Sequence, residues 1–237
     1  MENINPEVHL NLGAILFPRM DQTDFTAPFE ALSRLPNSTF HVIGKTTAPV
    51  TDVMGLILTP RIAMTDAPQL DVLLVPGGEG VNAVMEDEVV LAFIRKQAAG
   101  ARIVFSVCTG ALICGAAGLL KGRRATTHWA SFHLLEHFGA MPVNERVVTD
   151  GNLVSAAGVT AGIDGALTLA ARLRGDFVAQ KIQLQIQYAP EPPFNSGTPE
   201  TAPAEVVKAQ RAALGGVLES RLAIIKRVVA KQRNRIA

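Results

Sequence analysis

Cysteine is nearly missing from this chain: Cys108 and Cys114 are the two in 237 residues. Six positions apart on one predicted helix, they fall on different faces. That spacing argues against a disulfide or a thiolate chelate and points to a reduced, cytoplasmic compartment. A charge excess of one sign is also lacking. The net charge of +1 gives no electrostatic reason to expect nucleic acid or an anionic membrane as partner. No apolar run approaches membrane-spanning length. The opening Met-Glu-Asn-Ile-Asn-Pro has no basic stretch leading into an apolar one, so it does not read as a secretory signal. An internal repeat, zinc-type ligand spacing and a phosphate loop are absent too. Gly77-Gly78-Glu79-Gly80 matches neither a Walker nor a dinucleotide pattern. The sequence offers no site for a metal, nucleotide or redox cofactor.

What is present is material for a core: 48% of residues are hydrophobic and 18% charged. Buried strands are expected over residues 9–17, 39–43, 71–76 and 103–107, and a hairpin or antiparallel excursion over 50–58 around Gly55. A second hairpin, 146–156, turns at Asp150-Gly151-Asn152. Between these, helices are expected from near Pro28 to Leu35, over 87–99, 111–120 and 130–138, and from Asp164 to Leu173. Asp176 is expected to cap another that ends near residue 186. Strands alternating with helices mean a parallel sheet covered on both faces, with its site at the strand carboxyl ends.

Residues 1–187 are therefore expected to form one α/β domain. Residues 188–237 add a proline-rich strap and a long helix from Ala204 to about Arg235. That helix has an apolar stripe (Val206, Leu214, Leu218, Leu222, Ile225, Val229) that needs a partner, in the same subunit or another. Its last turns carry Arg221, Lys226, Arg227, Lys231, Arg233 and Arg235, cations that complement a helix C-terminus.

The chain is organised around residues 101–120. The run Ile103 to Val107 passes at once into Cys108-Thr109-Gly110 and then a helix, leaving Cys108 at a strand-to-helix corner. Such a corner strains the backbone and stands its side chain above the sheet edge, where a helix N-terminus favours thiolate. Cys108 is the candidate nucleophile. Asp24 has two readings, the cap of the helix that follows or a carboxyl sharing a proton with the thiol. Thr109 can offer an N–H and a hydroxyl to a developing charge, and Gly78 a backbone N–H for a substrate. His128 is the tempting general base, although no histidine directly follows Cys108.

Pro76-Gly77-Gly78, Ser106-Val-Cys-Thr-Gly110, the run from Gly118 to Trp129, Asp150-Gly-Asn152 and Gly162-Ile-Asp164 carry a resemblance. It is to the ThiJ/PfpI superfamily of glutamine-amidotransferase-like proteins, over essentially the whole chain. Within it, Asp24-Phe-Thr-Ala-Pro28, Cys108-Thr109 and the strap plus long helix resemble the cyclohexyl-isocyanide hydratases. The resemblance implies a flavodoxin-like sheet with a nucleophile elbow and a homodimeric, cofactor-free enzyme hydrating an isocyanide. Cys108 would be the nucleophile, Asp24 its acid–base partner and Thr109 beside them, with Gly78 and Thr109 facing the substrate. Alternatives are another cysteine enzyme of the superfamily, glyoxalase-type or a peptidase, and a small-ligand sensor domain. A peptidase would place His after the nucleophile, and a regulator would append more chain than one helix.

Overall fold

Strands covered on both faces must be apolar along their whole length. The computed structural model describes residues 4–234, and its first strand, β1 (Leu10–Leu16), is buried throughout apart from the half-buried Asn11. It is followed by α1 (Gln22–Leu32), β2 (Ser38–Gly44), a hairpin of β3 (Val50–Thr51) with β4 (Ile57–Leu58), and the short β5 (Ile62–Ala63). The centre of the chain supplies β6 (Val72–Val75), α2 (Val81–Val84), α3 (Glu88–Gly100), β7 (Ile103–Val107) and α4 (Gly110–Ala116). A 3₁₀ helix, Trp129–Phe138, lies between β8 (Arg124–Ala125) and β9 (Met141–Pro142), which pair with each other. The hairpin of β10 (Val147–Asp150) and β11 (Leu153–Ala156), then α5 (Ala161–Arg174), α6 (Asp176–Gln185) and α7 (Ala204–Asn234), complete the order.

Seven strands form one sheet in the order β10-β11-β7-β6-β1-β2-β5, parallel except for β10, and helices flank it. This is the expected flavodoxin-like α/β architecture. Every residue of β6 and β7 is buried. The crossovers bring the carboxyl ends of β1, β6 and β7 side by side, and that edge carries the loops of the candidate site.

Several local expectations are corrected. α1 starts before Pro28, because Asp21 accepts from the Thr23 N–H at 2.9 Å and caps the helix. Pro28 sits in the helix interior, where its missing N–H leaves the Asp24 carbonyl without an i+4 donor. α4 stops at Ala116, four residues early; Gln232 of α7 donates to the Gly115 and Ala116 carbonyls at 3.1 and 2.8 Å. The segment expected as an α-helix over 130–138 is wound as 3₁₀ and closes on Gly139 in the left-handed region, as a C-terminal glycine should. Asp176 is the first residue of α6, not its cap. The strand β5 and the single turn α2 were not anticipated, being too short for a periodic signal.

Residues 188–203 carry no helix or strand and cross the surface, tied at the start by the Tyr188 hydroxyl donating to Asp164 (3.1 Å). α7 then packs on its own subunit. Ile224, Ile225 and Val228 are buried, and Leu218, Leu222 and Val229 pack against the core, so four of the six stripe residues are met within the chain. Val206 at the helix start is 48% exposed. Arg227 forms a bidentate pair with Glu86 (3.0 and 2.9 Å). Arg221 lies well inside the helix and is buried, so it does not serve the helix end; Arg235 falls outside the described residues.

The close approach of α4 to β6 depends on Gly110. A Cβ there would stand 2.1 Å from the Val75 carbonyl oxygen and 2.8 Å from that of Pro76, both backbone atoms that cannot rotate away. Gly110→Ala should therefore lower the thermal midpoint by the equivalent of about 1–3 kcal/mol. A melt matching the wild type would show that α4 can back away from the sheet without loss.

Candidate active site

β7 feeds Cys108 into a corner of positive φ (55°), a strained conformation for a residue with a Cβ. The backbone around it is tied on both sides. Cys108 N–H donates to the Ala156 carbonyl of β11 at 3.0 Å, and its own carbonyl accepts from the Thr127 hydroxyl at 2.7 Å. The neighbouring sheet strand and the loop after β8 together hold the corner open.

Asp24, in the first turn of α1, is fully buried against this corner. Its Oδ2 accepts the Gly77 N–H at 2.9 Å, while Oδ1 is buried with no conventional donor and the Cys108 thiol is the carboxyl's other partner. Gly77 leaves no room to spare, since a Cβ on it would lie 2.6 Å from Thr109 and 2.8 Å from Asp24 Oδ2. Thr109 completes the cluster. Its Oγ1 accepts the Gly78 N–H at 3.0 Å and donates to the Gly78 carbonyl at 3.2 Å. The four expected residues are thus brought together, with two refinements. The Thr109 hydroxyl and the Gly78 N–H are engaged with each other and do not point at a vacant position. The Thr109 N–H is the donor directed to the Cys108 sulfur.

The electrostatics follow from burial. Desolvation, reinforced by Asp21, pushes the Asp24 carboxyl up to about 8, outweighing the Gly77 N–H and the thiol that favour its ionised form. Desolvation and then the Asp24 carboxyl push the Cys108 thiol well up in turn, against the Thr109 N–H. The expectation that the helix N-terminus makes Cys108 a resting thiolate is therefore corrected: α4 is too short a dipole to offset burial beside a carboxyl. Cys114 is fully buried in α4, pushed up to about 12 by desolvation, and no acid–base group among the described residues acts on it.

His128 does not join the pair. Its Nδ1 accepts from Ala130 N–H (3.3 Å), its ring lies against Trp129, and burial followed by Arg221 lowers its pKa so that it is neutral. The residue that sequence reasoning missed is Arg221. From α7 it donates through Nε to Asn82 Oδ1 (2.9 Å), through Nη1 to Ser131 Oγ (2.9 Å) and through Nη2 to the Gly78 carbonyl (3.3 Å), and an ionised Cys108 would favour its charge. The signal was there: an arginine three residues after Leu218 and four before Ile225 falls on the apolar stripe.

The site is closed, with Cys108 5% exposed. A cavity of about 480 Å³ opens instead beyond the far end of α4, among Met85, Leu91, Ala116, Phe138 and Val228, and includes none of Cys108, Asp24 and Thr109. Among the described residues no three His, Cys, Asp or Glu side chains cluster as a metal site requires. Among them, too, no helix is long and apolar enough to cross a membrane.

Residues 14–172 match the DJ-1/PfpI family. The chain is 53% identical over 222 residues to the isonitrile hydratase of Pseudomonas putida, covering 94% of this chain and 97% of that protein. A ThiJ/PfpI family protein from Pseudomonas syringae superposes with a TM-score of 0.90 at 36% identity, covering 95% and 97% of the two chains. DJ-1beta of Drosophila melanogaster shares the fold alone, with a TM-score of 0.69 at 23% identity; it is matched along 100% of its length by 77% of this chain.

The buried pair has a consequence for stability. A carboxyl whose folded pKa is raised binds a proton that the unfolded chain has already lost, so stability falls as pH rises from about 4 through about 8. Asp24→Asn removes that liability and also the carboxyl that opposes the thiolate. The variant should melt no lower than wild type at pH 8, and its Cys108 alkylation midpoint should fall. A variant that melts markedly lower at pH 8, or an alkylation midpoint that rises, would contradict this account of the pair.

Proposed function

This chain belongs to the DJ-1/PfpI family, and we propose that it is an isocyanide hydratase, converting R–NC and water to the N-substituted formamide. One observation carries the reading: the Asp24 carboxyl, pushed up to about 8 by burial, lies against the Cys108 thiol. Hydrating an isocyanide requires a nucleophile and a proton at the same carbon. A carboxylic acid still protonated near neutral pH beside a sulfur supplies both.

The reactive pair carries one proton and attacks from its minor tautomer, with that proton on Asp24 and the sulfur anionic, because the thiol is pushed up further than the carboxyl. Asp24 gives its proton to the terminal carbon while the Cys108 sulfur bonds to it, yielding the thioimidate R–N=CH–S–Cys108 and the Asp24 carboxylate. The carboxylate takes a proton from water as the oxygen adds to that carbon and passes it to the nitrogen, giving R–NH–CH(OH)–S–Cys108 and the Asp24 carboxylate again. The hydroxyl proton then returns to Asp24, the C–S bond breaks, and R–NH–CHO leaves with the pair restored. Like charges in contact cannot both persist, so the alternation of charge between sulfur and carboxyl is built into the geometry. The Thr109 N–H steadies the sulfur whenever it is anionic, and the Gly78–Thr109 bonds fix the turn that presents it.

Purified protein should turn over cyclohexyl isocyanide and leave methylglyoxal unchanged; the reverse result would favour a glyoxalase-type activity. Cys108→Ala should abolish turnover, and Asp24→Asn should slow it by about two to four orders of magnitude, the usual worth of general acid–base catalysis. Cys114→Ala should stay within about threefold of wild type, because its thiol is buried in α4 away from the carboxyl and a small packing change there has only local effects. Hydration that survives Cys108→Ala would remove the covalent route.

The reading extends to a cytoplasmic homodimer, supported by two free cysteines and by the exposed first half of α7 around Val206. Light scattering should give twice the chain mass, and a monomer in solution would remove the dimer from the proposal.

A further inference from the structure

A cation withdrawn from water is strongly destabilising unless an anion meets it. Arg221 is 5% exposed, and no carboxylate among the described residues forms an ion pair with it. Its anchors are three uncharged oxygens, those of Asn82, Ser131 and the Gly78 backbone, which orient the guanidinium without neutralising it. The Gly78 carbonyl it holds is the one that also accepts from the Thr109 hydroxyl. One chain of hydrogen bonds therefore runs from α7 to the residue beside the nucleophile.

The charged groups around the thiol are few. Asp24 and Asp21 approach from α1 and its cap, both raising the cost of a thiolate, and Arg221 of α7, bonded to the Gly78 carbonyl, brings the opposite sign to the same turn. Glu79 acts on Arg221 less strongly than Cys108 does, and His128, which faces Arg221 and Asp21, is neutral. Arg221 also lies beyond residues 14–172, the extent of the family match. The common domain thus receives this cation from a segment outside it.

We propose that Arg221 is a positioning residue of the reaction: its guanidinium is the fixed counter-charge for the single negative charge that the Cys108–Asp24 pair carries when it reacts, and its bond to Gly78 holds the Thr109 turn in register. The proposal rests on the reading of this site as a cysteine hydratase. Alkylation of Cys108 by iodoacetamide tests it without reference to the substrate, so failure of that reading and failure of this inference are distinguishable.

Arg221→Gln keeps a polar side chain and removes the charge, while Arg221→Lys keeps the charge and loses the fork. Loss of a nearby cation disfavours the thiolate, so the alkylation midpoint of Arg221→Gln should rise by about one pH unit or more. Its kcat for cyclohexyl isocyanide should fall at least tenfold with KM changed less than threefold. Arg221→Lys should bring the midpoint most of the way back. A folded Arg221→Gln protein whose alkylation profile superposes on that of wild type would overturn the proposal. If Arg221→Gln does not fold, the double variant Asn82→Ala/Ser131→Ala leaves the arginine and removes two of its three anchors. A raised midpoint there supports the proposal, and an unchanged one overturns it.

Discussion

A carboxyl and a thiol pressed together out of water is the constraint on which the site depends. Either group alone would be held neutral by burial, and together they cannot both ionise. The surrounding architecture keeps them in contact despite this. β7 runs buried on both faces beneath the corner, Gly110 must lack a side chain for α4 to meet β6, and Gly77 must lack one for its N–H to reach Asp24. The Cys108 backbone, left-handed at its corner, is fixed through Ala156 and Thr127. Strain at that residue is sustained by hydrogen bonds to two different parts of the chain.

What the sequence made legible is what local chemistry dictates. The run from Ile103 to Val107 followed by Thr-Gly-Ala identifies a strand, a corner and a helix, and the structure has β7, Cys108 and α4 in those places. The parallel order follows from alternation, and the hairpin β10–β11 from its turn residues. Asp24 was legible as a candidate, but its surroundings were not. Pro28 looked like a helix start, whereas Asp21 capped the helix a turn earlier and placed Asp24 inside it. Both are valid N-terminal signals, and the packing of α1 against α5 decides between them.

The thiolate expected from a helix N-terminus failed for a different reason. A helix dipole is a surface-scale effect that fades within a turn, and burial beside a carboxyl exceeds it. Burial is a tertiary quantity that no window of sequence contains. The same holds for Arg221, which lies 113 positions after Cys108 and reaches the Gly78 turn beside it because the chain returns to the sheet edge after the strap of residues 188–203. Its place within an apolar stripe was the one local sign that it would be buried.

The partners of Arg221 sharpen the point. Had a glutamate met this guanidinium, the pair would be close to neutral and the site would feel little of its charge. Asn82, Ser131 and the Gly78 carbonyl instead satisfy three of its N–H groups with dipoles, which fix direction and leave the positive charge uncompensated. Such a charge is unfavourable in the fully protonated site and becomes favourable once the thiol–carboxyl pair gives up one proton. The long C-terminal helix therefore does more than cover apolar surface with Ile224, Ile225 and Val228. In the proposed mechanism it sets beside the Gly78 turn a cation suited to the one-proton state of the pair, from which sulfur attacks in the tautomer that leaves the proton on the carboxyl.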